Sequence, residues 1–198
     1  GYEKAFITSY ESLFKSIDMS SLRSIFMVSS TSVFGQMNEE LVQEADANPN
    51  GFSGEVLLEA EKRLSRYGKR LCVLRLSGIY GPERLGLLRS VKELRASYSP
   101  GLSHFTNRIH IDDVVGFSNF AVTNQLEGIF NVSDSEPVRR NELLSYLADL
   151  CNVKLETKEQ PPSKRRTNKK VCNKKMLQTG YVLKFPSYKQ AYEAMAKI

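Results

Sequence analysis

The chain has 198 residues, of which 41% are hydrophobic and 25% charged, and its formal net charge is +6. This composition suffices for a buried core, no apolar run approaches the ~20 residues that span a bilayer, and the first ten residues lack a signal-peptide pattern. Three widely spaced cysteines and two unclustered histidines argue against a disulfide framework and a metal site, and they favour a reducing cytoplasm.

The first half of the chain predicts two helices and two buried strands. Residues 2–17 carry apolar side chains at helical spacing, and residues 23–30 have the composition of a buried strand. A polar loop over 36–50 leads to a helix for which Ser53 is the expected N-cap. A second buried strand follows at 71–77.

The second half of the chain alternates helices and strands in the same way. We predict a helix over 86–96, a strand over 108–111, a helix capped by Asp112, a strand over 128–133, a helix over 141–150 and a final helix after Pro186. Alternating apolar strands and helices indicate an α/β fold with a parallel sheet, in which each strand is buried on both faces.

The positive charge of the chain is local. Segment 161–175 contains seven Lys or Arg and no acidic residue, and outside it 21 basic residues stand against 22 acidic ones. A nucleic-acid-binding domain usually has a broad positive face, so a nucleic-acid partner is not expected. The segment is either a solvated loop or a basic lip over an anionic substrate.

Four segments of the chain follow one another in an order and at separations that resemble a known family. They are FMVSSTSVFG, VLRLSGIYGP, NRIHIDDVV and GIFNVSDSEPVRRNEL. They are similar to the second half of the NAD-dependent epimerase/dehydratase family, a branch of the extended short-chain dehydrogenases/reductases. The variants SSTSV, GIYGP and NRIH most resemble an atypical, sugar-nucleotide epimerase-related subgroup. The resemblance covers about 175 residues, because the C-terminal NKKMLQTGYVLKFPSYKQAYEAM also resembles the end of these proteins.

The resemblance implies a fold and a division of the chain. Residues 1–135 are expected to form the remainder of a Rossmann-like parallel-sheet domain. Residues 136–198 are expected to form mainly a small substrate-side α/β subdomain, to which 78–112 contribute. The implied ligands are NAD or NADP and a small nucleotide-sugar-like substrate.

The resemblance also assigns roles to individual residues near the ends of the first two predicted strands. Ser30, three residues before Val33, corresponds to the hydroxyl that bonds the reacting hydroxyl of the substrate, and Thr31 stands beside it in the catalytic turn. Ser32 and Arg108 are implied in substrate binding, since a guanidinium matches phosphate oxygens. The residues implied in cofactor binding are Ser29, Ser77, Gly78, Ile79 and Tyr80. The alternative for the hydroxyl cluster is that it only satisfies backbone groups in a turn.

The chain departs from the family at the proton-transfer pair. The family uses a Tyr phenolate whose pKa is lowered by a Lys four residues later. Aligned on Glu61, these two positions hold Ser53 and Leu57, so the pair is absent. Tyr80 and His110 are substitutes of suitable chemistry, although packing and structural roles are the simpler interpretations of both.

A second departure concerns the cofactor. The chain has no glycine-rich strand–turn–helix of the kind that holds a dinucleotide pyrophosphate. By resemblance, about three strand–helix units of roughly 30 residues each precede the segments found here. The strand at 23–30 would then have an open apolar edge, which invites pairing. We therefore expect the polypeptide to be a fragment, or to be completed at that edge by another chain or a second copy.

Two functions remain open at this point. The first is an NAD(P)-dependent epimerase/dehydratase-like enzyme acting on a nucleotide sugar, in which this chain carries the substrate-side half. The second is a non-catalytic Rossmann-like binding or regulatory module, which the residues at positions 53 and 57 favour. Neither function calls for a membrane.

Overall fold

The computed structural model of the protein describes residues 1–100, 104–159 and 167–196. Its helices are a π-helical turn (Lys4–Thr8) continued by α1 (Ser9–Ser16), α2 (Phe52–Ser65), α3 (Gly86–Lys92), α4 (Ile111–Thr123), α5 (Arg140–Leu150), α6 (Lys174–Gln178) and α7 (Tyr188–Ala196). Its strands are β1 (Ser24–Ser30), β2 (Glu40–Val42), β3 (Arg70–Leu76), β4 (Gly78–Tyr80), β5 (Phe105–Thr106), β6 (Arg108–His110), β7 (Gly128–Val132), β8 (Val138–Arg139) and β9 (Lys169–Val171).

The centre of the fold is a parallel three-stranded sheet in the order β1-β3-β7. Ile25, Met27 and Val73 point to one face of the sheet and pack with α2. Cys72 and Leu74 point to the other face and pack with α4. Helices therefore cover both faces of β3, and the α/β fold with a Rossmann-like parallel sheet is confirmed.

The first strand is buried on one face only. Phe26 is 37% exposed and Val28 is 56% exposed, whereas their neighbours Ile25 and Met27 are buried. Within the described ranges, β1 pairs with β3 and with no other strand. The prediction that every strand is buried on both faces is therefore wrong for β1, because α4 reaches β3 and β7 but does not extend over β1.

Two predicted helix caps are also wrong. The N-cap of α2 is Gly51, and Ser53 lies within the first turn with its side chain at a cavity. The N-cap of α4 is His110, whose Nδ1 accepts a hydrogen bond from the Asp112 amide at 3.2 Å. The Asp112 side chain is engaged elsewhere, in an ion pair with Lys184.

The predicted polar loop at 36–50 contains structure that its composition does not reveal. It forms β2, which pairs in parallel with β9 from the basic segment, and a 3-10 turn at Glu44–Asp46. This pairing brings the basic segment next to the end of β1, since Glu39 and Gln36 bond the backbone of Asn168.

A second hydrophobic cluster lies beside the sheet. Tyr80 packs there against side chains of α3, α5 and α7, and its ring stacks on Tyr192 with the centroids 5.0 Å apart. The cluster draws on both 78–112 and 138–195. None of the described helices has the length and apolar character required to cross a membrane.

Candidate active-site cleft

The hydroxyl cluster forms a tight turn at the carboxyl end of β1. After Ser30 the chain makes a 3-10 turn over Thr31–Val33, and the Ser30 Oγ accepts a hydrogen bond from the Ser32 amide at 3.1 Å. The Thr31 hydroxyl donates to the Leu76 carbonyl oxygen at 3.4 Å. These two hydroxyls thus satisfy backbone groups, as the alternative interpretation predicts. The Ser30 contact uses only an oxygen lone pair, so its hydroxyl proton is free for another acceptor.

Two cavities flank this turn. The first has a volume of about 460 Å³ and is lined by Ser32, Asn50, Gly51, Phe52, Ser53, Thr167 and Lys169. The second has a volume of about 370 Å³ and is lined by Thr31, His104, Phe105, Thr106, Asn107, Arg108, Thr167 and Lys169. Because Thr167 and Lys169 line both, we describe the two cavities together as the cleft. The structure thus brings Thr31, Ser32 and Arg108 to a single cleft.

Ser30 does not line either cavity. Alternation along β1 places its side chain on the same face as Phe26 and Val28, where it is half-buried beside Leu76 of β3. The carboxyl ends of parallel strands are where α/β sheets bind ligands, so both the cleft and Ser30 stand at the expected edge.

Arg108 brings positive charge to the second cavity. Its Nε is buried and has no hydrogen-bond partner among the described residues, and its Nη2 lies 3.5 Å from the Thr106 hydroxyl. The nearby Asp134 is 1% exposed, and burial raises the pKa of its carboxyl to about 8 despite the Arg108 charge. A carboxyl that is mostly protonated at neutral pH does not neutralise Arg108, so the guanidinium keeps its charge for an anionic group.

Lys169 is the cleft residue that sequence reasoning missed. It lies on β9 within the basic segment, and its side chain is 5% exposed. The Nζ donates to the Phe34 carbonyl oxygen and to the Thr167 hydroxyl, each at 2.7 Å. Burial lowers the pKa of the Lys169 ammonium to about 8. The pairing of β9 with β2 turns the Lys169 side chain inward. A run of basic residues in the sequence does not indicate which of their side chains is buried. Of the other candidates for a basic lip, Lys164, Arg165 and Arg166 lie outside the described residues, and Lys170, Lys174 and Lys175 do not line either cavity.

Ser53 and Leu57, which the resemblance aligns with the family's proton-transfer pair, have different surroundings. Ser53 lines the first cavity together with Ser32 and Lys169. Leu57, one helical turn later, is 1% exposed and packs in the core between α2 and the sheet. The two substitutes have structural surroundings, since His110 caps α4 and Tyr80 packs against its ring with the centroids 5.4 Å apart.

The residues implied in cofactor binding divide into two groups. The Ser29 hydroxyl donates to Glu61 at 2.6 Å on the α2 face, and Tyr80 is buried in the second hydrophobic cluster. Ser77 and Gly78 follow the carboxyl end of β3. The Ser77 Oγ is buried and has no hydrogen-bond partner in the part of the chain that the structure describes, and Gly78 is exposed. Ile79, between Gly78 and Tyr80 on β4, is half-buried. Ser77, Gly78 and Ile79 thus lie near the carboxyl end of the sheet. The side chains of Ser29 and Tyr80 point away from this end, to Glu61 and to the second hydrophobic cluster.

A cavity of slightly greater volume, about 530 Å³, lies elsewhere, between α2 and the middle of β3 and β7. Its floor carries the ion pair of Glu61 and Arg75, whose polar atoms already bond each other. The cleft, which stands at the carboxyl ends of the strands, is therefore the candidate functional site.

Comparison with known proteins supports the family resemblance. No protein-family model matches the chain. A curated relative, Protein YeeZ of Escherichia coli K12, is 28% identical over 145 residues, which are 72% of this chain and 49% of that protein. The chain therefore matches about half the length of this curated relative.

Solved structures extend the comparison to nearly the whole chain. A structure from Methylobacillus flagellatus, described as an NAD-dependent epimerase/dehydratase, is 32% identical with a TM-score of 0.85, over 99% of this chain and 71% of that one. The UDP-glucose 4-epimerase of Thermus thermophilus, solved with NAD, has the same fold at 18% identity and a TM-score of 0.82, over 97% of this chain and 68% of that one. The chain belongs to the NAD-dependent epimerase/dehydratase family.

Proposed function

We propose that this chain forms the substrate-side part of an NAD(P)-dependent enzyme that acts on a nucleotide sugar. The observation that carries the proposal is the composition of the cleft. Hydroxyl groups, the Arg108 guanidinium and the Lys169 amine line the two cavities, and none of their described lining residues is acidic. Such a lining attracts a phosphate-bearing ligand and offers hydrogen bonds to a sugar.

Each part of the site has a role in this proposal. Arg108 holds a phosphate oxygen in the second cavity, and Thr31 and Ser32 bond hydroxyls of the sugar. Ser30 stands at the same edge of the sheet but outside both cavities, and its free proton-donor position orients the reacting hydroxyl if the substrate extends from the cleft past the hydroxyl turn. The UDP-sugar epimerases among the structural neighbours support the assignment of the substrate class.

A nicotinamide cofactor fits one end of the site. Leu76, the last residue of β3, is the register partner of Ser30, and the exposed Gly78 follows two residues later. We assign the nicotinamide ring to this edge of the sheet. When bound, such a cofactor supplies the hydride acceptor and donor for transient oxidation of a sugar alcohol. Whether NAD or NADP is used does not affect this assignment.

A non-catalytic binding or regulatory module is the second candidate, and one observation favours it. Leu57 is buried in the core where the family's lysine would act, so the usual proton-transfer pair cannot be rebuilt on α2 without disturbing the core. Such a module would retain binding of a nucleotide to the cleft but would not turn a substrate over.

We also propose that a further polypeptide packs against this chain and that the protein is located in the cytoplasm. One edge of β1 is unpaired within the described residues, and Phe26 and Val28 are exposed; both observations support an additional polypeptide there, either a second copy or a completing segment. Size-exclusion chromatography with light scattering tests this, and a cooperatively melting monomer of 198 residues would contradict it. The three free thiols support a cytoplasmic location.

Turnover assays separate the two functions. The protein, together with the polypeptide that completes it at the β1 edge, is incubated with NAD⁺ or NADP⁺ and a panel of UDP-sugars, and products are followed by NMR. We expect turnover that falls about 100-fold or more in Ser30→Ala and persists in Ser30→Thr, which keeps the hydroxyl. Ser24→Ala, on the same strand but away from the cleft, is the matched control. Wild-type protein that binds UDP without turnover would favour the module, and full activity in Ser30→Ala would remove Ser30 from the catalytic residues.

A further inference from the structure

The buried amine of Lys169 has no counter-ion. In the described part of the chain it forms no ion pair, and its two hydrogen bonds go to neutral oxygens, the Phe34 carbonyl and the Thr167 hydroxyl. A fully buried lysine is rare unless it is paired with an acid. A neutral amine has two N–H groups and one lone pair, so two neutral acceptors match it without leaving an N–H unpaired.

The location of this amine is the second observation. Lys169 lines both cavities of the cleft, and it shares the first with Ser53, which occupies the place of the family's tyrosine. A serine side chain is much smaller than a tyrosine and leaves the space beside Ser32 open. The cleft therefore lacks a tyrosine phenol on α2 and contains the Lys169 amine from β9 instead.

Charged groups on the surrounding elements do not hold Lys169 in its protonated form. Glu39 pairs with Arg139 of β8, and Glu40 of β2 accepts a hydrogen bond from the Asn38 amide. Arg108 and His104 line the second cavity together with Lys169, and neither supplies a negative charge. Burial is the cause of the lowered pKa of the Lys169 ammonium.

We propose that Lys169 is the proton-transfer residue of this site, replacing the tyrosine–lysine pair that the chain lacks. The proposal rests on the proposed function, because it assumes that a sugar hydroxyl is oxidised in the cleft. Lys169 then acts by itself, as a neutral amine that accepts a proton and as an ammonium that returns it.

The proton and electron balance of the step is simple. The O–H bond of the substrate breaks, and its proton forms a new N–H bond at the Lys169 Nζ. The electron pair of the adjacent C–H bond leaves as hydride, for which an oxidised nicotinamide is the acceptor class. In the reverse direction the Lys169 ammonium gives the proton back to the alkoxide oxygen.

The first test measures the amine without any substrate. Lysine side chains are labelled with ¹³C at Cε, and the Lys169 resonance is assigned by its absence from Lys169→Arg. We expect it to titrate with a midpoint near pH 8 in the wild-type protein. A midpoint at about pH 10 or above, the range of an ordinary lysine, would overturn the proposal even if the protein turns UDP-sugars over.

The second test measures turnover against pH. In the oxidising direction kcat/KM should rise with pH around 8, as the amine loses its proton, and Lys169→Met should lower kcat about 100-fold or more. Lys169→Arg keeps the positive charge but cannot act as a base, so it should be equally impaired. Partial rescue of Lys169→Ala by added methylamine would support proton transfer by the amine.

Lys170 provides the matched control for Lys169. Lys170→Met removes the adjacent lysine of β9, whose side chain lies over the Phe105 ring, and it should leave the pH profile unchanged. Wild-type turnover that survives in Lys169→Met with the same pH profile would overturn the proposal and leave the proposed function intact. Wild-type protein without turnover would overturn both.

Discussion

The buried ion pair beneath the hydroxyl turn gives the sharpest prediction about stability. Arg75 of β3 and Glu61 of α2 are 1% and 4% exposed, and they form two hydrogen bonds, of 3.1 Å from Nε and 2.6 Å from Nη2. The Ser29 hydroxyl donates to the same carboxylate at 2.6 Å, and Arg75 Nη1 donates to the Glu44 carbonyl oxygen at 2.7 Å. The network therefore joins β1, β3, α2 and the turn that follows β2.

Glu61→Ala leaves Arg75 as a buried charge whose remaining contacts, in the described part of the chain, are one hydrogen bond to the Glu44 carbonyl oxygen and the Phe34 ring. Removing one member of a buried, hydrogen-bonded pair costs about 3–5 kcal/mol of stability, because the desolvation of the other charge is no longer offset. Replacing both members by apolar residues of similar size is often close to neutral for the same reason. We therefore expect Glu61→Leu combined with Arg75→Met to be much more stable than either single variant.

Urea unfolding monitored by circular dichroism measures these differences. Glu59→Ala is the matched control, since Glu59 lies on the same helix and its pair with Arg63 is on the surface, and it should change the unfolding free energy little. A cost below about 1 kcal/mol for Glu61→Ala would refute the reasoning. So would a double variant whose loss equals the sum of the two single losses, because the residues would then act independently.

Two further predictions concern the cleft and its surroundings. A Cβ at Gly54 would overlap the Ser32 carbonyl oxygen, so Gly54→Ala should displace the hydroxyl turn. We expect urea unfolding to show a loss of about 1–3 kcal/mol in unfolding free energy. Gly51→Ala is the control, because nothing lies within 4 Å of a Cβ built there, and it should cost less than half as much. The pKa of Asp134 is raised to about 8 in the folded state, so its contribution to stability is complete below the unfolded pKa near 4 and is lost as the pH rises through 8. Asp134→Asn should therefore lose less stability than the wild type between about pH 5 and pH 8, by up to about 4 kcal/mol.

Each of these two predictions has a contradicting result. Equal losses in the two glycine variants would show that the turn can shift without cost. Parallel curves of unfolding free energy against pH for the wild type and Asp134→Asn would show that the carboxyl is ionised in the folded protein.

The sequence alone determined the fold class and the order of the main elements. Apolar runs at 23–30, 71–77 and 128–133 are long enough to act as parallel strands, and the intervening helices show clear helical spacing, so local pattern and burial agree there. The same information placed the hydroxyl cluster at the end of a strand.

Only the tertiary structure decided which side chains enter the cleft. Lys169 belongs to a run of basic residues whose periodicity is uninformative, and it turns inward because β9 pairs with β2, a contact between segments far apart in the chain. Ser29 and Ser30 are adjacent and chemically identical, yet strand alternation gives one to the Glu61 network and leaves the other at the edge of the sheet. Long-range pairing and the direction of each side chain are set by the packing of distant segments, which no local pattern encodes.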